Sequence, residues 1–349
     1  MKLGFIVGKD EEIYDDKFLK KTTPNKYLLH GDLNSDVAIA MTIKLYYPHI
    51  DVDIILPNEI NKTRLQKNNV NFILGYDCIN AINDDPYVKK FSNENGLKSL
   101  HSIYSNKSCK VFPPIEFLEF IWDKKKYLTK LHKNDVLISP SIFFKNSNSN
   151  SNRKINNLLN QVRQYKWDSF IIKPIGGTTA YGFQKFCSSK CSTDLTILYN
   201  YFEENDMYKE FIVQELVTGF RKYGEIKMFW INNKYSYAVN TIDRGPDNYK
   251  VKMIKDENIL DECKKIGEKS IKLVPPIIVN KKRVQPVMLR TDFTCCLNND
   301  ENKKKYFLNE IEHQDAGSYV NFKSTTYPYV TVMADSFVKK AEELIRLGF

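Results

Sequence analysis

Strand-like apolar runs and a helical pattern alternate over the first hundred residues. The strand-like runs cover residues 2–7, 52–56 and 71–74. Between the first two, residues 36–46 have the apolar spacing of a helix, with Asn34 or Ser35 as its N-cap and Pro48 closing it. Strands that alternate with helices predict a small parallel sheet with covering helices.

The next segment begins with two prolines and a second helical pattern. Pro113 and Pro114 precede apolar residues at helical spacing, and a lysine-rich stretch continues the helical pattern to His132. Residues 136–144 are strand-like. Residues 145–153 are rich in asparagine and serine, which predicts a surface loop.

The rest of the chain is rich in strands. They are predicted at residues 169–173, 210–216, 225–230, 234–239, 287–293 and 305–311, with helices at 258–273 and 336–347. Asn232 and Asn233, which separate two of these strands, indicate a hairpin turn.

Composition fits a globular protein of two or three domains. The chain has 349 residues, of which 42% are hydrophobic, enough for a sizeable core. Its net charge of +10 comes largely from lysines spread among asparagine and isoleucine. Spread charge is typical of a solvated surface and also favours small anionic substrates such as nucleotides. No motif for DNA or RNA recognition is present, so we expect no nucleic-acid partner.

The seven cysteines predict reduced thiols rather than disulfides or a metal site. They are odd in number and lie in or beside apolar segments. Cys187 and Cys191 have the spacing of one helical face, and the adjacent Cys295 and Cys296 lack a second pair that would complete a zinc site. No apolar run approaches the roughly 18 residues of a membrane span. We therefore expect a cytoplasmic protein without a membrane partner.

A strand that ends in a lysine leads into a loop rich in glycine and threonine. The strand ends at Lys173, and the loop contains Gly176, Gly177, Thr178, Thr179 and Gly182. Glycines let backbone N–H groups close on phosphate oxygens, and the lysine adds a positive charge, so this segment could hold a triphosphate. It matches neither the P-loop nor the GxGxxG turn, and a glycine hairpin beside a surface lysine is an equally good interpretation.

Two later strands carry charged residues on one face each. Alternate residues of a strand share a face, so Arg290 and Asp292 point together, as do Glu310 and Glu312. Three carboxylates on adjacent strands would suit magnesium and its bound phosphates, and the arginine could hold developing negative charge. The alternative is a solvent-facing sheet edge, although apolar neighbours make a buried acidic cluster without a cation costly.

The order of these motifs between residues 114 and 312 resembles the ATP-grasp superfamily, and their spacing is similar to that of D-Ala-D-Ala ligases. Lys124 and Lys173 match the family's two ATP lysines, and the loop through Gly182 matches its phosphate lid. The residues that match the adenine hinge are Gln214, Glu215, Leu216 and Val217. Glu225 takes the place of the carboxylate that binds the ribose.

The same resemblance covers the metal site. Arg290 and Asp292 match the family's arginine and first metal carboxylate, and Glu310 and Glu312 match its Glu-x-Asn motif. Glu312 departs from that motif, where asparagine is usual. Lys227 stands where many members carry arginine.

The resemblance implies a fold class and a reaction. It implies a mixed α/β (α+β) ATP-grasp fold, with an N-terminal Rossmann-like domain at residues 1–112, a central subdomain with the lid at 113–208, and a C-terminal subdomain with the metal site at 209–349. ATP and two Mg²⁺ ions would be bound, and a small-molecule carboxylate would be activated as an acyl phosphate and passed to an amine. Lys173 would contact the phosphates, Arg290 would stabilise the oxyanion, and a homodimer is left open.

Two other functions stay open beside the ligase. A kinase on the same scaffold, similar to inositol-phosphate kinases, would suit the basic balance of the chain. A catalytically inactive nucleotide-binding protein is less favoured, because all three carboxylates and both lysines are present. The ligase is preferred to the kinase because Arg290 stands beside Asp292.

Overall fold

A computed structural model describes most of the chain, namely residues 1–8, 12–75, 78–83, 85–86, 99–146, 152–176, 181–243, 249–300, 304–313 and 316–349. The strands are β1 (Lys2–Ile6), β2 (Asp51–Ile55), β3 (Val70–Ile73), β4 (Val111–Phe112), β5 (Ser141–Lys145), β6 (Ser169–Pro174), β7 (Gln184–Cys187), β8 (Glu210–Glu215), β9 (Glu225–Ile231), β10 (Lys234–Asp243), β11 (Tyr249–Met253), β12 (Ile277–Val279), β13 (Lys282–Val284), β14 (Met288–Cys295) and β15 (Tyr306–His313).

The helices lie between these strands and at the end of the chain. They are α1 (Lys17–Thr22), α2 (Ser35–Tyr46), α3 (Lys62–Leu65), α4 (Ile79–Ile82), α5 (His101–Tyr104), α6 (Ile115–Trp122), α7 (Lys124–Lys133), α8 (Asn152–Gln164), α9 (Ser188–Thr193), α10 (Thr196–Glu204), α11 (Gly219–Tyr223), α12 (Glu257–Leu273) and α13 (Tyr329–Arg346). Single 3₁₀ turns lie at Asn25–Tyr27, Pro57–Glu59, Lys107–Cys109 and Leu297–Asn299.

The first sheet is parallel, in the order β2-β1-β3-β4, which confirms the prediction for this part of the chain. The helix between β1 and β2 is capped by Asn34, whose side chain accepts a hydrogen bond from the Val37 N–H at 2.9 Å. The last helix, α13, packs on this sheet: the Phe337 ring lies 4.8 Å from the Phe72 ring and 5.7 Å from the Phe5 ring, centroid to centroid. The two ends of the chain therefore share one core.

The second and third sheets are antiparallel. The second has the order β5-β8-β6-β7, and its outer face packs on α8 through an apolar cluster that includes Leu158, Leu159 and Phe170. The third has the order β11-β10-β9-β14-β15. Asn232 and Asn233, between β9 and β10, have φ angles of 51° and 59°, the left-handed conformation that a tight hairpin needs, so this predicted turn is confirmed.

Four local predictions differ from the structure. Helix α8 was not predicted, and the predicted loop through residue 153 ends earlier, because α8 begins at Asn152. The predicted strand 136–144 pairs regularly only from Ser141, since Pro140 has no N–H to donate. The last helix begins at Tyr329 rather than near residue 336, because packing buries the first turns of α13. Cys187 ends β7 rather than sharing a helical face with Cys191.

The state of the cysteines and the character of the helices can also be described. All seven cysteines lie in the described ranges, and none forms a disulfide. Among the helices described, none combines the length and apolar character that crossing a membrane would need. The division of the chain at residues 112 and 208 stays a prediction.

Candidate active site

A cavity of about 1480 Å³ lies between the second and third sheets. Its wall includes residues from α6 and α7, the inner face of the second sheet, and the face of the third sheet formed by β9 and β15. Of the residues predicted from the sequence, those on the wall are Lys124, Lys173, Gly176, Gln214, Glu215, Leu216, Val217, Glu225, Lys227, Glu310 and Glu312. Residues far apart in the sequence are thus brought to one cavity.

Two lysines from separate elements converge on one carboxylate in this cavity. The Lys173 Nζ, on β6, lies 3.0 Å from Glu310 Oε1, and the Lys124 Nζ, at the start of α7, lies 3.7 Å from the same oxygen. Burial alone would raise the pKa of Glu310, but the charges of the two lysines, with the Lys173 hydrogen bond, hold that pKa well below its ordinary value. The carboxylate therefore stays ionised and is a strong partner for cations.

A second charged cluster lies beside the first, on strands β9 and β14 of the third sheet. Asp292 is fully buried and accepts two hydrogen bonds from Arg290, from Nε at 2.8 Å and from Nη2 at 2.9 Å. Lys227 Nζ reaches Asp292 at 2.8 Å and Glu225 at 2.6 Å. Burial alone would lower the pKa of Lys227, but Asp292 and Glu225 raise it well above its ordinary value. Asp292 thus neutralises two buried cations.

The structure does not bring the three carboxylates of the predicted metal site to a common point. Asp292 pairs with Glu310 across β14 and β15, and Arg290 pairs with Glu312. Nevertheless, within the described ranges no group of three His, Cys, Asp or Glu side chains is placed to hold a metal ion. Asp292 is held by Arg290 and Lys227, whereas Glu310 and Glu312 line the cavity. Their oxygens are hard donors that fit magnesium, so magnesium binding stays a prediction at these two residues.

Arg290 is held by a carboxylate and a backbone carbonyl, and its predicted role at the oxyanion stays a prediction. Its Nε and Nη2 bond Asp292, and its Nη1 donates to the Gly317 carbonyl at 3.2 Å. Among the described wall residues of the cavity, neither Arg290 nor Asp292 appears. In this structure the guanidinium orders the charged cluster beside the cavity.

A pair of asparagines that sequence analysis missed holds the hinge. Glu215 accepts a hydrogen bond from the Asn298 N–H at 2.8 Å and one from Asn299 Nδ2 at 3.1 Å, and Asn299 Oδ1 accepts from the Thr218 N–H at 2.8 Å. This closed set of bonds brackets residues 216 and 217. The Asn298-Asn299 pair, with φ of 56° and 52°, is a weak signal for such a turn in the sequence.

The predicted phosphate lid is described only at its ends. Gly177, Thr178 and Thr179 lie outside the described residues. Gly182 has a φ of 71°, a left-handed conformation that suits glycine, and its carbonyl accepts a hydrogen bond from the Tyr201 hydroxyl at 2.5 Å. Gly176 lies directly against the indole of Trp122, and both line the cavity.

The contact between Gly176 and Trp122 leads to a prediction. A Cβ added at Gly176 would overlap the Trp122 ring, so Gly176→Ala should displace the indole and expose it to solvent. We expect a red shift of tryptophan emission and stronger quenching by acrylamide. Gly317→Ala is the control, since its Cβ would meet Glu12 Oε1 only at 3.8 Å, an ordinary contact. Equal emission in both variants would contradict the contact.

Glu12, near the start of the chain, contacts the segment that follows β15. Its carboxylate accepts hydrogen bonds from Ser35 Oγ at 3.1 Å, from Ser318 Oγ at 2.7 Å, from the Ser318 N–H at 3.0 Å and from the Tyr319 N–H. His313, the last residue of β15, is on the cavity wall.

Comparison with solved structures identifies the fold. The chain superposes on D-cycloserine synthetase DcsG with a TM-score of 0.62 and 12% identity, over 99% of this chain and 100% of that one. On a D-alanine–D-alanine ligase from Bacillus anthracis complexed with ATP, the TM-score is 0.60 with 10% identity over 100% of both chains. On the ATP-grasp ligase PsnB complexed with minimal precursor, the TM-score is 0.58 with 12% identity, over 97% of this chain and 98% of that one.

These superpositions confirm the predicted fold class: the chain has the ATP-grasp fold of D-Ala-D-Ala ligases. No family model matches the sequence, and no curated protein sequence does so either.

Proposed function

We propose, from this ATP-grasp fold and the charges in its cavity, that the chain is an ATP-dependent ligase that joins a carboxylate to an amine through an acyl phosphate. The observation that carries the proposal is the convergence of Lys124 and Lys173 on Glu310, within a cavity bordered by the hinge at residues 214–217. Lysines held this close to one point can neutralise a phosphate chain, because charge-assisted hydrogen bonds are stronger than neutral ones.

The hinge would hold the base of ATP. Leu216 and Val217 line the cavity, and no backbone or side-chain acceptor within the described residues takes the Val217 N–H. An extended backbone with an unused donor can bind the edge of a purine. The bonds from Glu215 to Asn298 and Asn299 keep this segment in place before the nucleotide enters. Glu225, at the far side of the cavity, would take the ribose.

Transfer of the γ-phosphoryl group would depend on the lysines. In their presence the substrate carboxylate attacks the γ-phosphorus, ADP leaves, and the amine then displaces phosphate from the acyl carbon. Lys173 is our candidate catalytic residue, because its ammonium lies at the cavity wall where phosphate charge would develop. Arg290 would act by holding Asp292 and, through it, Lys227. Bound at Glu310 and Glu312, magnesium would neutralise phosphate charge.

A kinase is the second candidate. The observation that favours it is a basic set on the same cavity wall, Lys185, Arg221 and Lys222. Cations beyond those needed for ATP would suit an acceptor that carries several negative charges. In that case the phosphoryl group would stay on the acceptor as a stable ester.

One experiment separates the two functions. The chain is incubated with MgATP, hydroxylamine and pools of candidate carboxylates, both amino acids and peptides with acidic side chains. Peptides are included because a solved complex of PsnB contains a precursor peptide. A ligase forms an acyl phosphate that hydroxylamine converts to a hydroxamate, with release of ADP and inorganic phosphate. Recovery of a stable phosphoester instead would overturn the ligase proposal.

A further inference from the structure

The base end of the cavity contains a side-chain amide whose orientation is fixed by its neighbour. On β8, Gln214 lies opposite Ile171 of β6, and Ile212 lies opposite Lys173. Gln214 is thus two residues along the strand from the position opposite the lysine, about 7 Å at ordinary strand rise, on the same face and at the start of the hinge. Gln214 is 4% exposed and lines the cavity.

The two hydrogen bonds of the Ser141 hydroxyl determine which end of this amide faces the cavity. The Ser141 hydroxyl donates to the Ser139 carbonyl at 3.0 Å, and it accepts from Gln214 Nε2 at 2.9 Å. A hydroxyl has one proton. If the amide turned over, its oxygen would need that same proton, and only one of the two hydrogen bonds could form. The observed orientation keeps both.

The opposite end of the amide is therefore an acceptor. Within the described residues no donor reaches Gln214 Oε1, and Gln214 lines the cavity. An acceptor at this position matches the exocyclic amino group at position 6 of adenine. It disfavours the carbonyl oxygen that hypoxanthine and guanine carry at that position, because two acceptors would then face each other with no proton between them.

We infer, resting on the proposed function in which the hinge holds the base, that Ser141 is a positioning residue: it keeps the Gln214 amide oxygen toward position 6 of the base and so makes this contact selective for adenine. Ser139 also contributes a hydroxyl to the wall. Its Oγ is buried and has no hydrogen-bond partner within the described residues. A hydroxyl can donate or accept, so Ser139 suits either base and does not determine which base is preferred.

The test compares two nucleotides that differ in this part of the base. Dissociation constants of the full chain are measured by calorimetry for MgATP and for MgITP, whose base carries a carbonyl at position 6. We expect the wild type to bind MgATP at least about tenfold more tightly, because one hydrogen bond is replaced by an unpaired acceptor. In Ser141→Ala the amide can turn over and donate to the carbonyl, so the preference should fall below about threefold.

Matched variants separate positioning from folding. Ser141→Thr keeps the hydroxyl and should keep the wild-type ratio, whereas Ser139→Ala should change both affinities alike and leave the ratio unchanged. A Ser141→Ala protein with the wild-type ratio would overturn the role of Ser141. Equal binding of MgATP and MgITP by the wild type would overturn the inference alone, whereas absence of binding for both would overturn the proposed function.

Discussion

Asp292→Asn should lower the free energy of unfolding by about 3–5 kcal/mol. The Asp292 carboxylate is fully buried, and its two oxygens accept hydrogen bonds from Arg290 and Lys227. Asparagine has nearly the same shape, so the substitution removes the charge without opening a cavity. Two buried cations would then lack their shared counter-charge, with Glu225 alone left beside Lys227. Urea denaturation at pH 7 measures the loss.

A surface ion pair serves as the control for this prediction. Asp51 lies 3.1 Å from Lys2, and the two side chains are 67% and 39% exposed. Water screens such a pair, so Asp51→Asn should change the free energy of unfolding by no more than about 1 kcal/mol. Similar small effects of the two substitutions would show that Asp292 does not hold the buried cations.

Lys173→Met should raise the dissociation constant of MgATP about 10- to 150-fold. A charge-assisted hydrogen bond contributes about 1.5–3 kcal/mol, and about 1.4 kcal/mol is a factor of ten in binding. Methionine keeps most of the apolar stem, so the lost ammonium is the main change. Isothermal titration calorimetry gives the dissociation constant, and thermal unfolding confirms that the variant is folded.

Lys125→Met is the matched control for the phosphate lysines. Lys125 follows Lys124 in α7, but its ammonium pairs with Glu210 at 2.8 Å, and it is not among the described residues of the cavity wall. Its replacement should leave MgATP affinity within about twofold, a change of no more than about 0.4 kcal/mol. If Lys173→Met and Lys125→Met bound MgATP equally well, the phosphate site would lie elsewhere.

Local patterns were sufficient to predict much of the fold. Strands and helices with clear apolar periodicity appear close to their predicted bounds, as in β6 and α12. Helix α8 was missed because its many asparagines resemble the adjoining polar loop, although Ile155, Leu158, Leu159 and Val162 have helical spacing. The start of α13 depends on packing against the third sheet, where Tyr329 contacts the Tyr237 ring and Met288 Sδ, and no local pattern contains these contacts.

In the candidate site as well, local patterns predicted some features and tertiary structure determined the others. Strand alternation correctly placed Arg290 and Asp292 on one face, but the sequence did not reveal that they bond each other. Glu12 and Ser318 are 306 residues apart, and Lys173 and Glu310 are 137 apart. Such partners are chosen by tertiary structure. The resemblance to ATP-grasp proteins supplied the candidates, and the hydrogen bonds supplied their arrangement.

The measurement that tests the ligase proposal most directly follows one oxygen atom. Substrate labelled with ¹⁸O in its carboxylate is turned over with unlabelled MgATP and the amine, and the inorganic phosphate is analysed by mass spectrometry. Attack of the carboxylate on the γ-phosphorus predicts one ¹⁸O atom in each phosphate released, because the amine later breaks the bond between acyl carbon and that oxygen. Phosphate without label, or a label retained in a stable phosphorylated product, would contradict the ligase proposal.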